Sequence, residues 1–165
     1  MLKSTPPKQT PKGRVKKYLG YREAWSRIRI AQKNGHYLEA VTLEESIICD
    51  RLISYLVSNG ALARPVSGNN HPSFSSLIGL WKRTEGTPIS EGGFSNLQES
   101  VDTWRILRNK VVHGIVKSYP DTEPDDITSF LEEAERAAEE GRKLARAVSK
   151  WREKAKKQMA AAGSN

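Results

Sequence analysis

The sequence has little of what metal sites and disulfides require: its 165 residues include one cysteine, Cys49, and three histidines. One cysteine cannot form an intramolecular disulfide or supply a cysteine-based zinc site. Because Cys49 lies in an apolar helical pattern, we expect it to be buried as a small hydrophobic residue. The chain also lacks any run of 18 apolar residues, so no membrane-spanning helix is expected.

The first 22 residues contain no acid and no apolar segment of the kind that a secretory signal requires. We therefore expect a cytoplasmic protein. Residues 1–20 are interpreted as a flexible basic arm, since they are too poor in apolar side chains to bury a core. Residues 21–158 are expected to form one helical domain, because a chain of this length accommodates a single core.

The formal net charge of +8 is concentrated in two segments, the N-terminal arm and the stretch from Arg142 to Lys157, where Glu153 is the only acid. Basic segments attract polyanions by releasing counterions, which makes RNA or DNA a candidate partner. The alternative interpretation is that both segments are solvated and serve solubility alone.

Apolar residues recur at helical spacing along most of the chain, with no convincing strand alternation and no internal repeat. The pattern predicts an all-α protein, an up-and-down bundle of four to five helices. The expected helices cover about residues 21–33 and 37–58, a short segment opened by Ser73, a segment from Ser95 to Gly114, and a long last segment that begins with Asp125 and Asp126. In the fourth helix, Ser95 is the expected N-cap, with Gln98 three residues later, and Gly114 is the expected residue beyond the C-terminal end.

Arg108 lies near the centre of the apolar arc of this fourth helix, where an unpaired guanidinium is unfavourable. Glu45 is similarly misplaced on the apolar stripe of the second helix, so the two side chains are expected to pair. We expect a bidentate bond that leaves the rest of the guanidinium available to a phosphate. The alternatives are a purely structural ion pair and an Arg108 that extends along its stem into solvent.

His113 and Asn109 lie on the other side of the same helix. His113 is near the negative helix end, where an imidazole can exchange a proton near neutral pH, and Asn109 can orient that ring or a substrate oxygen. Arg108 and His113 are about 140° apart around an ideal helix. They converge only if the helix relaxes near Gly114 or if a second subunit completes the site, which favours a composite site in a homodimer.

The chemistry of this set fits phosphodiester transfer in RNA. The cluster lacks a close pair of carboxylates or a second histidine, so neither a metal nor another cofactor is expected. RNA carries its own nucleophile, the 2′-OH, so a histidine as acid or base and an arginine on the developing phosphorane charge suffice.

The segment LRNKVVHG, residues 107–114, resembles the R-x-x-x-x-H motif of the HEPN superfamily. The match covers the motif closely, and the bundle coarsely over about residues 21–155. The resemblance implies a homodimeric, metal-independent endoribonuclease that leaves a 2′,3′-cyclic phosphate and a 5′-OH, with Arg108, Asn109 and His113 in the active site. Many such proteins act in toxin–antitoxin or phage-defence systems, which makes an antitoxin protein a candidate partner.

One position departs from that family pattern. In HEPN toxins controlled by nucleotidyltransferase antitoxins, a tyrosine follows the histidine by two residues and is the residue that is modified. This chain has Ile115 there, and Tyr119 is too far along the chain to replace it, so that form of regulation is not expected.

Several further residues are candidates for RNA contact. The basic candidates are Arg105, Lys110, Lys117, Arg146 and Lys150. Trp151, which basic residues surround, is the tryptophan chosen to stack on a base, although tryptophans at helical spacing more often belong to the core. His36 and His71 are interpreted as surface or capping groups.

Two other functions compete with the endoribonuclease. One is a non-catalytic helical module that binds RNA or a partner protein. The other is a small antitoxin or regulator that binds another protein through its alanine-rich last helix. The small residues Ala134, Ala137, Ala138 and Gly141 of that helix mark either a dimer contact or close internal packing.

Overall fold

The computed structural model describes residues 12–64, 72–114 and 126–162, and every named element in these ranges is an α-helix. The helices are α1 (Lys12–Lys33), α2 (Tyr37–Ser58), α3 (Phe74–Glu85), α4 (Leu97–Gly114) and α5 (Ile127–Ala162). The all-α class predicted from apolar periodicity is therefore confirmed. In the described ranges, strand-type pairing is limited to one β-bridge between Glu91 and Phe94.

The centre of the bundle is formed by α2 and α5. Helix α2 packs against α1, α3 and α5, and α4 packs against α5. An aromatic cluster lies at one end of this centre, with the Trp151 ring centroid 4.6 Å from that of Tyr55 and 5.0 Å from that of Trp81. Trp151 is buried in the cluster, which agrees with the expectation that the tryptophans belong to the core and excludes its alternative role as a base-stacking ring. The position of Trp151 on the apolar stripe of α5 determines its burial, and the basic residues next to it in sequence do not.

The first helix begins nine residues earlier than predicted, because residues 12–20 belong to α1 and not to the expected arm of residues 1–20. No proline interrupts the chain from Lys12 to the end of α1. This N-terminal part is also held to α2, since Lys17 Nζ lies 2.9 Å from Asp50 Oδ1 and the Tyr21 hydroxyl donates to the same carboxylate. Residues 1–11 of the predicted arm lie outside the described residues.

Both predicted ends of the fourth helix need correction. Asn96, not Ser95, is the capping residue, because its Oδ1 accepts a hydrogen bond of 3.1 Å from the backbone N–H of Glu99. The Gln98 side chain is used elsewhere: it accepts from the Ile89 N–H at 2.8 Å and donates to the Thr87 carbonyl at 2.9 Å. At the other end, Gly114 is itself helical and has no positive φ, so it is not a left-handed residue beyond the helix.

The stripe of small residues on α5 is explained by internal packing. All four members are buried, and the Trp104 Nε1–H of α4 donates to the Ala137 carbonyl at 2.8 Å. A Cβ at Gly141 would lie 2.5 Å from Trp104 Cζ2 and would overlap Glu44 Oε2. Of the two interpretations of this stripe, the structure supports close packing of α5 on α2 and α4, and the dimer contact is not needed.

Helix α5 continues to Ala162, four residues past the predicted end of the domain at residue 158. No helix among the described residues combines the length and the apolar character that crossing a membrane requires.

Candidate active site on the fourth helix

The Arg108 guanidinium forms an ion pair with Glu45, through Nε and Oε2. The pairing expected from the sequence is therefore present. The two side chains are 19% and 17% exposed, so the pair lies at the edge of the core, whereas the helical wheel placed Arg108 near the centre of the apolar arc. The expected bidentate bond is not found. Nη1 instead donates to Asn109 Oδ1 at 2.9 Å, and Nη2 has no hydrogen-bond acceptor among the described residues.

Burial and charge act against each other at this pair. Desolvation raises the pKa of the Glu45 carboxyl, and the adjacent Arg108 guanidinium opposes that rise. The neighbouring Cys49 thiol is largely removed from water, and this burial, with Glu45 nearby, raises the pKa of Cys49 to about 12. Cys49 therefore behaves as an apolar, unreactive side chain, and its expected role as a buried hydrophobic residue is close to what the structure shows.

His113 is exposed on the last turn of α4. Because α4 remains helical through Gly114, the helix does not relax in a way that brings Arg108 and His113 together within one chain. Within the described ranges, Asn109 makes no hydrogen bond to His113, and its Oδ1 is used by Arg108. One chain thus presents Arg108 and Asn109 as a connected pair and His113 as a separate group on the adjoining face of the helix.

The two other candidate cations of α4 are engaged with acids. Arg105 Nε lies 2.9 Å from Asp102 Oδ1, and Lys110 Nζ lies 2.6 Å from Glu133 of α5. Asp102 also accepts from Lys82 Nζ at 2.8 Å, and this hydrogen bond, with the one from Arg105, lowers the pKa of the Asp102 carboxyl. Lys110 and its partner carboxylate connect α4 to α5.

The candidate cations of α5 lie in two different environments. Lys150 Nζ is 3.1 Å from Glu91, a carboxylate only 5% exposed that Lys154 also contacts. Arg146 is exposed, with its guanidinium carbon 5.7 Å from the centre of the Trp25 ring. The remaining candidate, Lys117, lies outside the described residues, as do Ile115, Tyr119 and His71.

Glu44 is a buried carboxyl that the sequence analysis did not select. Its side chain is fully buried, and desolvation raises its pKa to about 8, with Arg142 opposing the rise. Gln32 Nε2 donates to Oε1 at 3.1 Å, whereas Oε2 has no hydrogen-bond partner among the described residues. The signal was available, because Glu44 is three residues after Val41 and four before Ile48 on the apolar stripe of α2.

Within residues 12–64, 72–114 and 126–162, no three histidine, cysteine, aspartate or glutamate side chains come together as a metal-binding group. No family model, curated protein or solved structure matches this chain.

Proposed function

We propose that this protein is an endoribonuclease that cleaves RNA by attack of the 2′-OH, with Arg108, Asn109 and His113 as its active-site residues. The observation that carries the proposal is the position of Arg108, a cation held at the edge of the core by Glu45 and Asn109. A guanidinium fixed by two partners is oriented before substrate binds, and its Nη2 remains for a phosphate oxygen. The exposed His113, on the same helix, supplies an acid–base group.

The chemistry requires no group beyond these residues and the RNA. The 2′-oxygen attacks the adjacent phosphorus, and the bond from phosphorus to the 5′-oxygen breaks. The 2′-OH gives its proton to His113 or to solvent water, and the departing 5′-oxygen takes a proton from the other of these two, so one proton is lost and one is gained. Arg108 stabilises the charge that develops on the phosphorane oxygens. The products are a 2′,3′-cyclic phosphate and a 5′-OH, which are also the products that the HEPN resemblance implies.

A homodimer is part of the proposal, because Arg108 and His113 face different directions on an unbroken helix. Ile106 supports a contact on the His113 side of α4. It lies seven residues before His113, thus on the same face, and it is 62% exposed although it is a large apolar residue. A second copy that covers Ile106 would also cover the face of α4 that carries His113.

The biological setting is proposed from the HEPN resemblance alone: a cytoplasmic toxin or phage-defence effector, with an antitoxin protein as a possible partner. The basic residues Arg105, Lys110, Lys117, Arg146 and Lys150 stay candidates for RNA contact. Three of these are paired with acids in this structure, so an RNA phosphate would have to compete with those carboxylates.

The proposal is tested by incubating the purified protein with single-stranded RNA in EDTA and analysing the product ends. We expect cleavage with cyclic phosphate ends, and no cleavage where the 2′-OH is replaced by 2′-O-methyl. His113→Ala should reduce the rate about 10²–10⁴-fold, the range for loss of a general acid or base. Arg108→Lys, which keeps a charge opposite Glu45, should reduce it about 10²–10³-fold.

His36→Ala is the matched control, because His36 is an exposed histidine at the junction of α1 and α2, away from α4. It should cleave at the wild-type rate. RNA that stays intact with wild-type protein, or cleavage that survives both active-site substitutions, contradicts the proposal. Salt-sensitive RNA binding without cleavage would instead support the non-catalytic RNA-binding module.

A further inference from the structure

A cavity of about 580 Å³ lies between α1, α2 and α5, and neither Glu45 nor Arg108 lines it. Its described lining contains four arginines and no acid: Arg22, Arg29, Arg51 and Arg146. We call it the α1–α5 cavity. Its volume is within the range of about 300–1,000 Å³ that small-molecule sites occupy.

The α1–α5 cavity combines these cations with aromatic rings. Tyr18, Arg22, Trp25 and Arg29 follow one another at spacings of four, three and four residues, so one face of α1 alternates ring and guanidinium. Tyr18 is 66% exposed. An exposed aromatic ring beside several guanidinium groups is the combination that stacks a nucleobase and binds its phosphate.

The surrounding residues hold the cavity wall in place. The guanidinium carbon of Arg51 lies 4.2 Å from the centre of the Tyr21 ring, and Nη1 lies 3.4 Å from Glu153.

Several polar groups of the cavity wall are left without partners. Arg51 Nε and Ser149 Oγ have no hydrogen-bond partner among the described residues. Arg22, Arg29 and Arg146 make no ion pair within the described part of the chain. The wall thus retains positive charge that intramolecular contacts do not neutralise.

We propose that the α1–α5 cavity binds a nucleotide unit, with the phosphate held by its arginines and the base stacked on Tyr18 or Trp25. The unit is either a free mononucleotide or one residue of an RNA strand, since both present the same base and phosphate. The site is separate from Arg108 and His113, and the proposal does not rest on RNA cleavage.

The test is calorimetric titration of the full chain with adenosine 5′-monophosphate, which has no phosphodiester bond to cleave. We expect binding at one site per chain, weakened at least about fivefold for adenosine and for ribose 5-phosphate, because each lacks one of the two recognised groups. Arg146→Gln should weaken binding about tenfold, in line with the loss of a charge-assisted hydrogen bond. Tyr18→Ala should weaken it about fivefold or more, as loss of a stacking ring does.

Arg136→Gln is the matched control, because Arg136 is an exposed arginine of α5 that does not line the cavity. It should bind as the wild type does. Equal weakening by Arg136→Gln and Arg146→Gln, or no binding to wild-type protein, overturns the proposal. A 2′-O-methyl oligonucleotide that binds more than about tenfold more tightly than the mononucleotide identifies a strand as the ligand, and equal affinity identifies the mononucleotide.

Discussion

Glu44 and Glu45 are adjacent in sequence but meet opposite environments. Glu45 remains partly exposed and faces the Arg108 guanidinium, whereas Glu44 is fully buried with one hydrogen bond, from Gln32. The Arg142 guanidinium opposes the burial effect on Glu44 only in part, so the pKa of Glu44 is about 8. A carboxyl in that environment is mainly neutral at pH 7, which is how the core accommodates it.

We expect Glu44 to make the protein less stable as the pH rises. The folded-state pKa, about 8, is above the ordinary 4.5, so the folded protein holds a proton that the unfolded chain has released in this interval. The free energy of unfolding should therefore be highest below about pH 4.5 for this group and fall until about pH 8. Each pKa unit of difference corresponds to about 1.4 kcal/mol.

Glu44→Gln should remove this fall, because the amide keeps the shape of the side chain and does not ionise. Urea unfolding at about pH 5 and about pH 8.5 measures the difference. At the higher pH, the variant should exceed the wild type by at least about 1 kcal/mol. Glu132→Gln, an exposed carboxyl of α5, serves as the control and should leave the pH dependence unchanged. Identical pH dependence for wild type and Glu44→Gln would show that Glu44 is solvated.

The Arg108–Glu45 pair was predictable, because each residue alone interrupts an apolar stripe and the two charges are opposite. The helical wheels of α2 and α4 do not predict which atoms of the two side chains are in contact. The ion pair is made through Nε, and Nη1 is turned to Asn109. This arrangement follows from the relative rotation and height of α2 and α4, which periodicity does not specify.

The glycine in the middle of α5 is explained by the helices that pack against it. Glycine within a helix is ordinarily unfavourable by about 0.5–1 kcal/mol relative to alanine. Gly141 is retained where α5 approaches Trp104 of α4 and Glu44 of α2, and no space remains there for a Cβ. The small residue thus permits the close packing that brings the Trp104 N–H to the Ala137 carbonyl.

Gly141→Ala should destabilise the fold by about 1–3 kcal/mol, because the added methyl overlaps side chains that packing holds in place. Gly20→Ala is the matched control, since Gly20 is also helical and no heavy atom lies within 4 Å of the position of its Cβ. That substitution should stabilise the protein by about 0.5–1 kcal/mol through helix propensity. Urea unfolding measures both. Equal stabilisation by the two substitutions would contradict the close packing at Gly141.

Helix boundaries were predicted well where the sequence offers a single candidate for the end of the helix. The limits of α2 agree with the expected 37–58, and Ser73 caps α3 by accepting the Ser76 N–H at 3.1 Å. At the start of α4, Ser95 and Asn96 are both good capping residues, and sequence alone does not choose between them. The choice is tertiary: Gln98 is held by Thr87 and Ile89, which fixes where the helix begins.

For the assembled molecule, the decisive question is whether two chains share one active site. In a composite site, the Arg108 of one protomer works with the His113 of the other. A dimer of one Arg108→Gln chain and one His113→Ala chain then contains one intact site and one site that lacks both residues.

Refolding the two inactive variants together should therefore restore cleavage. With random pairing, half of the dimers are mixed and each has one of two sites intact, so about a quarter of wild-type activity is expected. Native mass spectrometry confirms that mixed dimers form. Mixed dimers that remain inactive would contradict the composite site, and a protein that stays monomeric at assay concentration would contradict the dimer itself.

Local order in the sequence was enough to predict the all-α class, most helix limits and the pairing of Arg108 with Glu45, because apolar periodicity and isolated charges are properties of single helices. The early start of α1, the burial of Glu44 and Trp151, and the arginine-lined cavity were decided by three-dimensional packing. Each depends on how α1, α2 and α5 are rotated against one another, and that rotation is set by the joint fit of their side chains.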